Sequence, residues 1–297
     1  MTTKTMLGRA AAIAVLALPF ACSAAHGAPG AAPACTRHVT GQRSMDAAQP
    51  GDVVCVDAAQ SGQRLRITKG GTPDRPVTYT GDGRWVRGID VRADNVVVTG
   101  FALDRPSAPG IDARGVNVTI RDNTITAPQG GDGDGLRFFG DGAKILGNRI
   151  SHTDNSTGAH ADCMQTFATD DDHVASRHVL IAGNRCEHID NMCLMAEGPH
   201  SEAGDGSGKG VSEYWMFFGN YCETLIGSQA VMIDDVQHLS IVGNVWAAGP
   251  DHAIGMQNHS TDGFVWANLL DPAIPCEVGM DESSRKGYHG PPPRCAP

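Results

Sequence analysis

The chain has 297 residues and a formal net charge of -10. This acidic balance excludes the broad basic surface that binding to nucleic-acid phosphates requires, so we expect no nucleic-acid partner. Glycine is abundant, with 37 residues, and aromatic residues make up 5% of the chain. That composition favours many short strands joined by tight turns over a helical bundle.

The first 25 residues have the pattern of a signal peptide. Lys4 and Arg9 precede an apolar run over residues 10–21 that is too short to span a bilayer, and small residues at 23–25 suit cleavage. Cys22 stands where a lipoprotein cysteine could, but the residues before it match that signal poorly, so we expect no lipid anchor. The sequence predicts a secreted protein, extracellular or periplasmic, with no membrane contact after the signal is removed.

An asparagine repeat runs through the second half of the chain. It consists of Asn123, Asn148, Asn184, Asn220, Asn244 and Asn268, at spacings of 25, 36, 36, 24 and 24 residues. Three residues earlier stand Ile120, Ile145, Ile181, Phe217, Ile241 and Val265, and two residues later stand Ile125, Ile150, Cys186, Cys222, Trp246 and Leu270. These columns suit a core. In stacked turns an asparagine amide bonds to its copies above and below, so we interpret the asparagines as structural.

A second strand in each repeat aligns in the same way. Its inward columns read Ile111, Leu136, Met164, Leu194, Val231 and Ile254, then Ala113, Phe138, Thr166, Ala196, Ile233 and Met256. Two strands per turn, stacked about 4.8 Å apart, describe a solenoid. The sequence therefore predicts an all-β, single-domain parallel β-helix over residues 61–275, between an N-terminal cap (26–60) and a C-terminal tail or cap (276–297). We expect the protein to be a monomer.

Two consecutive repeats are 36 residues long, and the extra residues fall in three loops. These are the first loop (Thr153–Ala161), the second loop (Thr169–Ser176) and the third loop (Gly198–Ser212). In a solenoid, insertions become loops beside the stack, often at the binding face. All three flank the second strand of adjacent turns, so we expect walls around the outward face of that sheet.

The outward positions of this sheet supply the candidate site. One column reads Asp112, Arg137, Gln165, Met195, Met232 and Gly255, and the next reads Arg114, Phe139, Phe167, Glu197, Asp234 and Gln257. Glu197 and Asp234 are neighbours in one column, about one strand spacing apart, so they can shift each other's pKa or hold a cation such as Ca²⁺.

The loops add further polar residues to this face. His160 and Asp162 enter it from the first loop, and His200 and Lys209 lie on the third. Asp134 and Asp162 occupy an inward-pointing corner, where either could instead cap a turn. Residues 170–172 are three consecutive aspartates and look like a solvated turn.

Eight cysteines follow the signal segment, an even number that indicates disulfides in an oxidising compartment. Cys163 and Cys193 share one column in adjacent turns, and Cys186 and Cys222 share another. One step between turns matches the Cα separation of a disulfide, so geometry predicts Cys163–Cys193 and Cys186–Cys222. Elimination leaves the pairs Cys35–Cys55, at the N-terminal cap, and Cys276–Cys295, at the C-terminal end.

The aligned turns resemble the pectate-lyase-like superfamily of right-handed parallel β-helix proteins over roughly residues 45–275. Residues 71–79 (GTPDRPVTY) and 94–100 (DNVVVTG) look like the opening turns of secreted members, and residues 160–165 (HADCMQ) are similar to a pattern in bacterial β-helix proteins. The resemblance implies activity on a polysaccharide, by β-elimination or inverting hydrolysis, on a parallel sheet face. The Trp-Ile-Asp-His string of pectate lyases is absent.

The leading hypothesis is a lyase for an acidic, uronate-containing polysaccharide. β-Elimination needs a neutralised uronate carboxylate, a base and an acid. Arg137, or a cation held by Glu197 and Asp234, would neutralise the carboxylate, and His160, oriented by Asp162, would be the base. The substrate contacts would come from Gln165, Phe139, Phe167, Arg114, His200 and Lys209.

Two alternatives stay open at this point. An inverting glycoside hydrolase would place Glu197 or Asp234 opposite Asp162, at the roughly 6.5–9.5 Å that such enzymes use. A non-catalytic carbohydrate-binding β-helix would use the same face for affinity alone.

Overall fold

The computed structural model describes residues 34–57, 62–201, 209–225, 229–247 and 249–297. The signal peptide and Cys22 lie outside the described residues. The described part belongs to one compact unit, Ala34–Pro297. None of its helices has the length and hydropathy needed to cross a membrane.

The described residues form one short helix, α1 (Gln42–Met45), and 26 strands. In chain order the strands are β1 (Arg37–Val39), β2 (Val53–Val56), β3 (Arg64–Ile67), β4 (Val77–Thr80), β5 (Gly88–Arg92), β6 (Val96–Thr99), β7 (Ala102–Asp104), β8 (Ile111–Arg114), β9 (Thr119–Arg121), β10 (Thr124–Thr126), β11 (Leu136–Phe139), β12 (Lys144–Leu146) and β13 (Arg149–Ser151). They continue with β14 (Met164–Thr166), β15 (Leu180–Ala182), β16 (Arg185–Ile189), β17 (Leu194–Glu197), β18 (Ser212–Phe218), β19 (Tyr221–Thr224), β20 (Gln229–Asp234), β21 (Val236–Val242), β22 (Val245–Ala247), β23 (His252–Gln257), β24 (Phe264–Trp266), β25 (Leu269–Leu270) and β26 (Cys276–Met280).

These strands form three parallel sheets of ten, seven and nine strands. From β5 to β25 each turn of the coil contributes one strand to each sheet: β8 belongs to the nine-stranded sheet, β9 to the ten-stranded sheet and β10 to the seven-stranded sheet. The predicted parallel β-helix is confirmed. The stack begins at β1 and ends at β26, inside the segments for which we expected caps.

The prediction of two strands per turn is wrong, because a bend splits the strand at each asparagine. The residue before the asparagine has a left-handed backbone, as at Asp122 (φ 54°), Gly147 (φ 60°) and Ala267 (φ 55°). The chain therefore turns between the inward columns on either side of the asparagine, and these columns line two different sheets. All 24 residues of the four predicted inward columns face the core, where all but the half-buried Leu270 are at most 2% exposed.

The asparagines form the expected ladder. Each side-chain amide donates to the side-chain oxygen of the next asparagine at 3.0–3.1 Å, from Asn123 through to Asn268. The same oxygen also accepts the backbone N–H of the preceding asparagine, at 3.1 Å or less. Because these buried polar groups are satisfied within the stack, the column is structural.

The terminal disulfides are as predicted, whereas the central pairing differs. Cys35–Cys55 and Cys276–Cys295 are bonded. In the centre, Cys163 bonds to Cys186 across the core, and Cys193 and Cys222 are thiols. The predicted pairs Cys163–Cys193 and Cys186–Cys222 are therefore wrong for this structure. All four side chains point into the core at neighbouring positions of two sheets, so a bond across the core is as accessible as a bond along a column.

Candidate functional site

The outward face of the nine-stranded sheet is flanked by loops at both of its corners. The first loop precedes β14, the second loop follows β14 and the third loop follows β17. An ion pair between Lys209 and Asp171 (3.1 Å) joins the third loop to the second, and Asp172 of the second loop lies 3.9 Å from Arg114. These contacts confirm that the insertions stand beside the expected face.

The predicted register of this face is also confirmed. Arg137 pairs with Gln165 in the next strand, and Glu197 pairs with Asp234. Gln165 is buried, and its amide nitrogen donates to the sulfur of Met195 at 3.3 Å. The side-chain oxygen of Gln165 has no hydrogen-bond partner among the described residues. Register alone therefore does not decide which of these groups a substrate can reach.

Glu197 and Asp234 are both buried, at 2% and 0% exposure. Asp234 accepts a hydrogen bond from the side-chain amide of Gln257 at 2.9 Å. Around this pair, the described residues contain no group of three or more acidic, histidine or cysteine ligands. Carboxylate and amide oxygens such as those of Glu197, Asp234 and Gln257 are ligands of the kind that Ca²⁺ takes, and the ion binds six to eight oxygens in all, water included.

Asp162 lies at a corner of the coil, where it caps a turn. Its Oδ1 accepts from the side chain of Asn191 and the backbone N–H of Met192, each at 2.9 Å, and its Oδ2 has no partner among the described residues. Burial raises the pKa of Asp162 well above its ordinary value, and the carboxylate of Asp134 raises it further. Asp162 is therefore a buried turn cap whose hydrogen bonds go to Asn191 and Met192, whereas His160 is exposed.

Asp134 and Arg137 form part of the same corner. The guanidinium of Arg137 pairs with Asp132 and, at 2.6 Å, with Asp134. Burial opposes the charged form of Arg137, yet these carboxylates raise its pKa. Burial raises the pKa of Asp134 against the opposing charge of Arg137. The expected neutralising group, Arg137, thus already has carboxylate partners.

The other expected substrate contacts are not gathered at one point. His200 is mostly exposed and lies 3.3 Å from Asp235, while Lys209 is held by Asp171. Phe139 is 2% exposed and therefore cannot offer a face to a sugar. Its ring instead packs edge-on against Phe167, with the ring centroids 5.1 Å apart.

The outward face of the nine-stranded sheet also carries a histidine that the sequence did not single out as a candidate. His173, on the second loop, packs against the rings of Phe139 and Phe167, at centroid distances of 4.8 and 4.9 Å. Its Nδ1 contacts the two carboxylate oxygens of Asp170, at 2.9 and 3.0 Å. The hydrogen bond with His173 lowers the pKa of Asp170 to about 2. The spacing Asp-x-x-His inside an insertion was the available signal, and we had interpreted its aspartates as a solvated turn.

Guanidinium groups lie over the same two rings against which this histidine packs. Arg114 lies over the ring of Phe139, 5.5 Å from its centroid, and Arg137 lies 5.2 Å from the centroid of Phe167. Arg114 shares the carboxylate of Asp112 with Arg92, at 3.0 and 2.7 Å. Asp112 thus meets two guanidinium groups, and the exposed Asp172 approaches Arg114 at 3.9 Å. The side chains of Arg114 and Arg92 are 24% and 30% exposed. This group can accept a further anion.

The arrangement combines an oriented imidazole, partly exposed guanidinium groups and the two phenyl rings against which they pack. We call His173, Asp170, Arg114, Arg92 and Asp112 the imidazole site. His173 is 21% exposed, so it is within reach of a ligand on this face. An imidazole whose Nδ1 is held by a carboxylate leaves Nε2 for proton transfer. The site can therefore bind an anion and move a proton.

No protein-family model matches the chain, and no curated protein sequence matches it. Among solved structures, it is similar to the PL6 family alginate lyase AlyGC, with a TM-score of 0.60 and 14% identity, over 77% of this chain and 33% of that one. An alginate lyase from Paenibacillus sp. str. FPU-7 gives a TM-score of 0.45 and 14% identity over 86% of this chain and 99% of that chain. PfbA, a surface adhesin of Streptococcus pneumoniae, gives 0.38 and 9% over 79% and 70%.

The likeness to AlyGC supports the right-handed parallel β-helix that the aligned turns predicted. The chain spans a third of the length of AlyGC. At this level of identity the likeness concerns the fold alone.

Proposed function

We propose that the protein is an exported lyase that cleaves a uronate-containing polysaccharide by β-elimination at the imidazole site. The observation that carries the proposal is His173, held by Asp170 and packed against the same two rings as the guanidinium groups of Arg114 and Arg137. Disulfides within the described residues agree with export to an oxidising compartment. AlyGC, the most informative structural relative, is named as an alginate lyase, so alginate is the first substrate to test.

The reaction removes the proton on C5 of the uronate and breaks the C4–O bond. His173 Nε2 accepts the C5 proton, and the electrons of the C5–H bond form a C4=C5 double bond as the bond to the leaving oxygen breaks. The imidazolium then returns a proton to that oxygen. Removing a proton next to a carboxylate requires that its charge be neutralised, and we assign this role to Arg114 and Arg92, which lie beside Asp112 and the exposed Asp172.

A Ca²⁺ ion on Glu197 and Asp234 is the other possible neutralising group. The side chains of Arg114 and Arg92 are partly exposed whereas Glu197 and Asp234 are buried, which favours the arginines. The arginine assignment therefore implies that a chelator leaves turnover intact, whereas loss of turnover on chelation and its return with Ca²⁺ would shift the assignment to the carboxylates.

The two alternative functions receive less support from the geometry. Inverting hydrolysis would need Asp162 opposite Glu197 or Asp234, but Asp162 is fully buried and its Oδ1 is occupied by Asn191 and Met192. A purely binding role does not require an imidazole that is positioned by a carboxylate.

The test is a digest of alginate, other uronate polysaccharides and a neutral glucan, with and without chelator, by the full-length protein. Elimination gives unsaturated ends that absorb ultraviolet light and products whose summed mass lacks the water that hydrolysis adds. Intact polymer in every digest would overturn the proposal, and saturated products would replace it with hydrolysis.

The matched variants are His173→Ala and His178→Ala. His178 also pairs with an aspartate, Asp141, at 2.7 Å, but it lies outside the imidazole site, at the edge of the ten-stranded sheet. We expect His173→Ala to lower kcat about 10²- to 10⁴-fold, the usual contribution of a general base, and His178→Ala to leave it unchanged. Equal effects of the two variants would contradict the assignment of His173.

A further inference from the structure

The four central cysteines occupy two columns of the coil, one turn apart. Cys163 and Cys193 directly precede β14 and β17, whose first residues are register partners. Cys186 and Cys222 are register partners in β16 and β19. Moving the bonded pair Cys163–Cys186 by one turn along the coil therefore gives the pair Cys193–Cys222.

The sulfurs of the second pair lie close together. The sulfurs of Cys186, Cys193 and Cys222 all lie within 4.8 Å of one another. All are fully buried in the hydrophobic core. The backbone that brings Cys163 and Cys186 to a Cα separation of 5.9 Å is repeated one turn later, and that separation suits a disulfide.

We propose that Cys193 and Cys222 form a fourth disulfide in the exported protein, stacked on Cys163–Cys186. Two thiols lose two protons and two electrons, and a disulfide of a thiol oxidoreductase or of a small thiol in the exporting compartment accepts them by exchange. This proposal does not depend on the enzymatic activity.

The two bonds would close successive turns, and these are the turns that carry the second and third loops. The second loop lies between Cys163 and Cys186, and the third loop lies between Cys193 and Cys222. Each insertion would then start and end on a covalently closed ring anchored in the core. The proposed bond therefore ties both ends of the third loop to the core.

The burial of the pair sets the time at which it can oxidise. Burial and the neighbouring Cys222 raise the pKa of the Cys193 thiol, and it is the thiolate that reacts in exchange. The bond must therefore form before the core closes. Protein folded under reducing conditions and oxidised afterwards should keep both thiols.

The test is disulfide mapping of full-length protein that has been exported into an oxidising compartment. The protein is denatured without reductant, alkylated with N-ethylmaleimide and cut with trypsin and cyanogen bromide, which separates Cys186 from Cys193 at Met192. The proposal predicts residues 193–195 joined to residues 217–232, and residues 150–164 joined to residues 186–192. Alkylated Cys193 and Cys222, or a link between Cys163 and Cys193, would overturn it.

Two variants serve as controls for the assignment of the thiols. In Cys193→Ala, the proposal predicts that one thiol, that of Cys222, becomes alkylated on denaturation, whereas Cys193→Ala with Cys222→Ala shows no alkylation at these positions. If wild-type protein instead contains both thiols and a stoichiometric metal ion, the site is a metal centre and the disulfide proposal is wrong. The wild-type map is decisive even where a variant fails to fold.

Discussion

The outward faces of the ten-stranded and nine-stranded sheets belong to the same turns of one coil, yet they distribute polar and apolar groups in opposite ways. On the ten-stranded sheet Met216, Phe218, Phe264 and Trp266 are 42–63% exposed. On the nine-stranded sheet the outward Asp112, Gln165, Glu197 and Asp234 are buried, at 6% exposure or less. Each face inverts the usual preference, because large apolar groups face solvent on one and charged groups are enclosed on the other.

The difference follows from where the insertions leave the coil. The second and third loops emerge directly after strands of the nine-stranded sheet, and the first loop emerges directly before one. A face that carries buried charged groups, an oriented imidazole and partly exposed guanidinium groups has the chemical content of a reaction site. The predictions that follow test whether chemistry is confined to the enclosed face.

After His173→Ala, the largest effect should come from Arg114→Gln, because it removes a guanidinium that we assign to the uronate carboxylate. We expect kcat/KM on the substrate found in the digest panel to fall about 10²- to 10³-fold, the range for loss of one preorganised charge donor. The matched control is Arg121→Gln, which removes an arginine from the ten-stranded face, where it pairs with Asp122 at 2.8 Å. A comparable loss in the control would show that the two faces do not differ in function.

A smaller loss should follow from Asp170→Asn, since Asp170 positions His173 without touching substrate. By comparison with other carboxylates that orient a histidine, we expect kcat to fall about 10- to 100-fold. The KM should stay unchanged, and Asp170→Glu should recover part of the loss. Asp141→Asn, which changes the carboxylate partner of His178, is the control and should leave kcat and KM unchanged. A change confined to KM would assign Asp170 to substrate binding.

Much of the fold could be predicted because each structural position recurs in every turn. The inward columns and the asparagine ladder emerged from alignment of the chain with itself. The bend at each asparagine was also present in the sequence: Ile120 and Ile125 are an odd number of residues apart, so a continuous strand would place them on opposite faces. Both are buried, which requires a turn between them.

The site was less accessible to sequence reasoning, because loops do not repeat. The columns identified Arg114 and the outward face of the nine-stranded sheet as candidates, but the contact between His173 and Asp170 depends on the path of the second loop across Phe139. Register likewise identified neighbours for Cys163 without deciding between Cys193 along the column and Cys186 across the core, since both geometries suit a disulfide.

The next prediction concerns stability at the corner beside the enclosed face. The pKa of Asp162 is raised in the folded state, so Asp162 keeps its proton to a higher pH there than in the unfolded chain, where it ionises above about pH 4. The stability it contributes is present below about pH 4 and is lost as pH rises toward its folded pKa, at up to about 1.4 kcal/mol per pH unit. Asp162→Asn removes this dependence and keeps the acceptor for Asn191 and Met192.

The measurement is urea denaturation of both proteins between about pH 4 and pH 6. The free energy of unfolding of Asp162→Asn, minus that of wild type, should increase with pH. A constant difference over this range would mean that Asp162 is ionised in the folded protein and that the corner resembles an ordinary ion-paired surface.

The smallest effect should come from Trp266→Ala on the ten-stranded face. Its side chain is 63% exposed, so the free energy of unfolding should change by no more than about 0.5 kcal/mol, and turnover of soluble substrate should be unchanged. Thermal unfolding and initial rates measure both quantities. A marked loss of turnover would place part of the active surface on the open face.

The asparagine ladder has a consequence for how proteins of this shape diversify. Asn148 and Asn184, 36 residues apart, make the same 3.0 Å hydrogen bond between side-chain amides as Asn244 and Asn268, 24 residues apart. The stack is thus indifferent to how much chain lies between its contacts. New lengths of polypeptide can be spliced in at a corner, and lost again, while the scaffold stays in register, so substrate preference can evolve by loop exchange on a frame that selection need not rebuild.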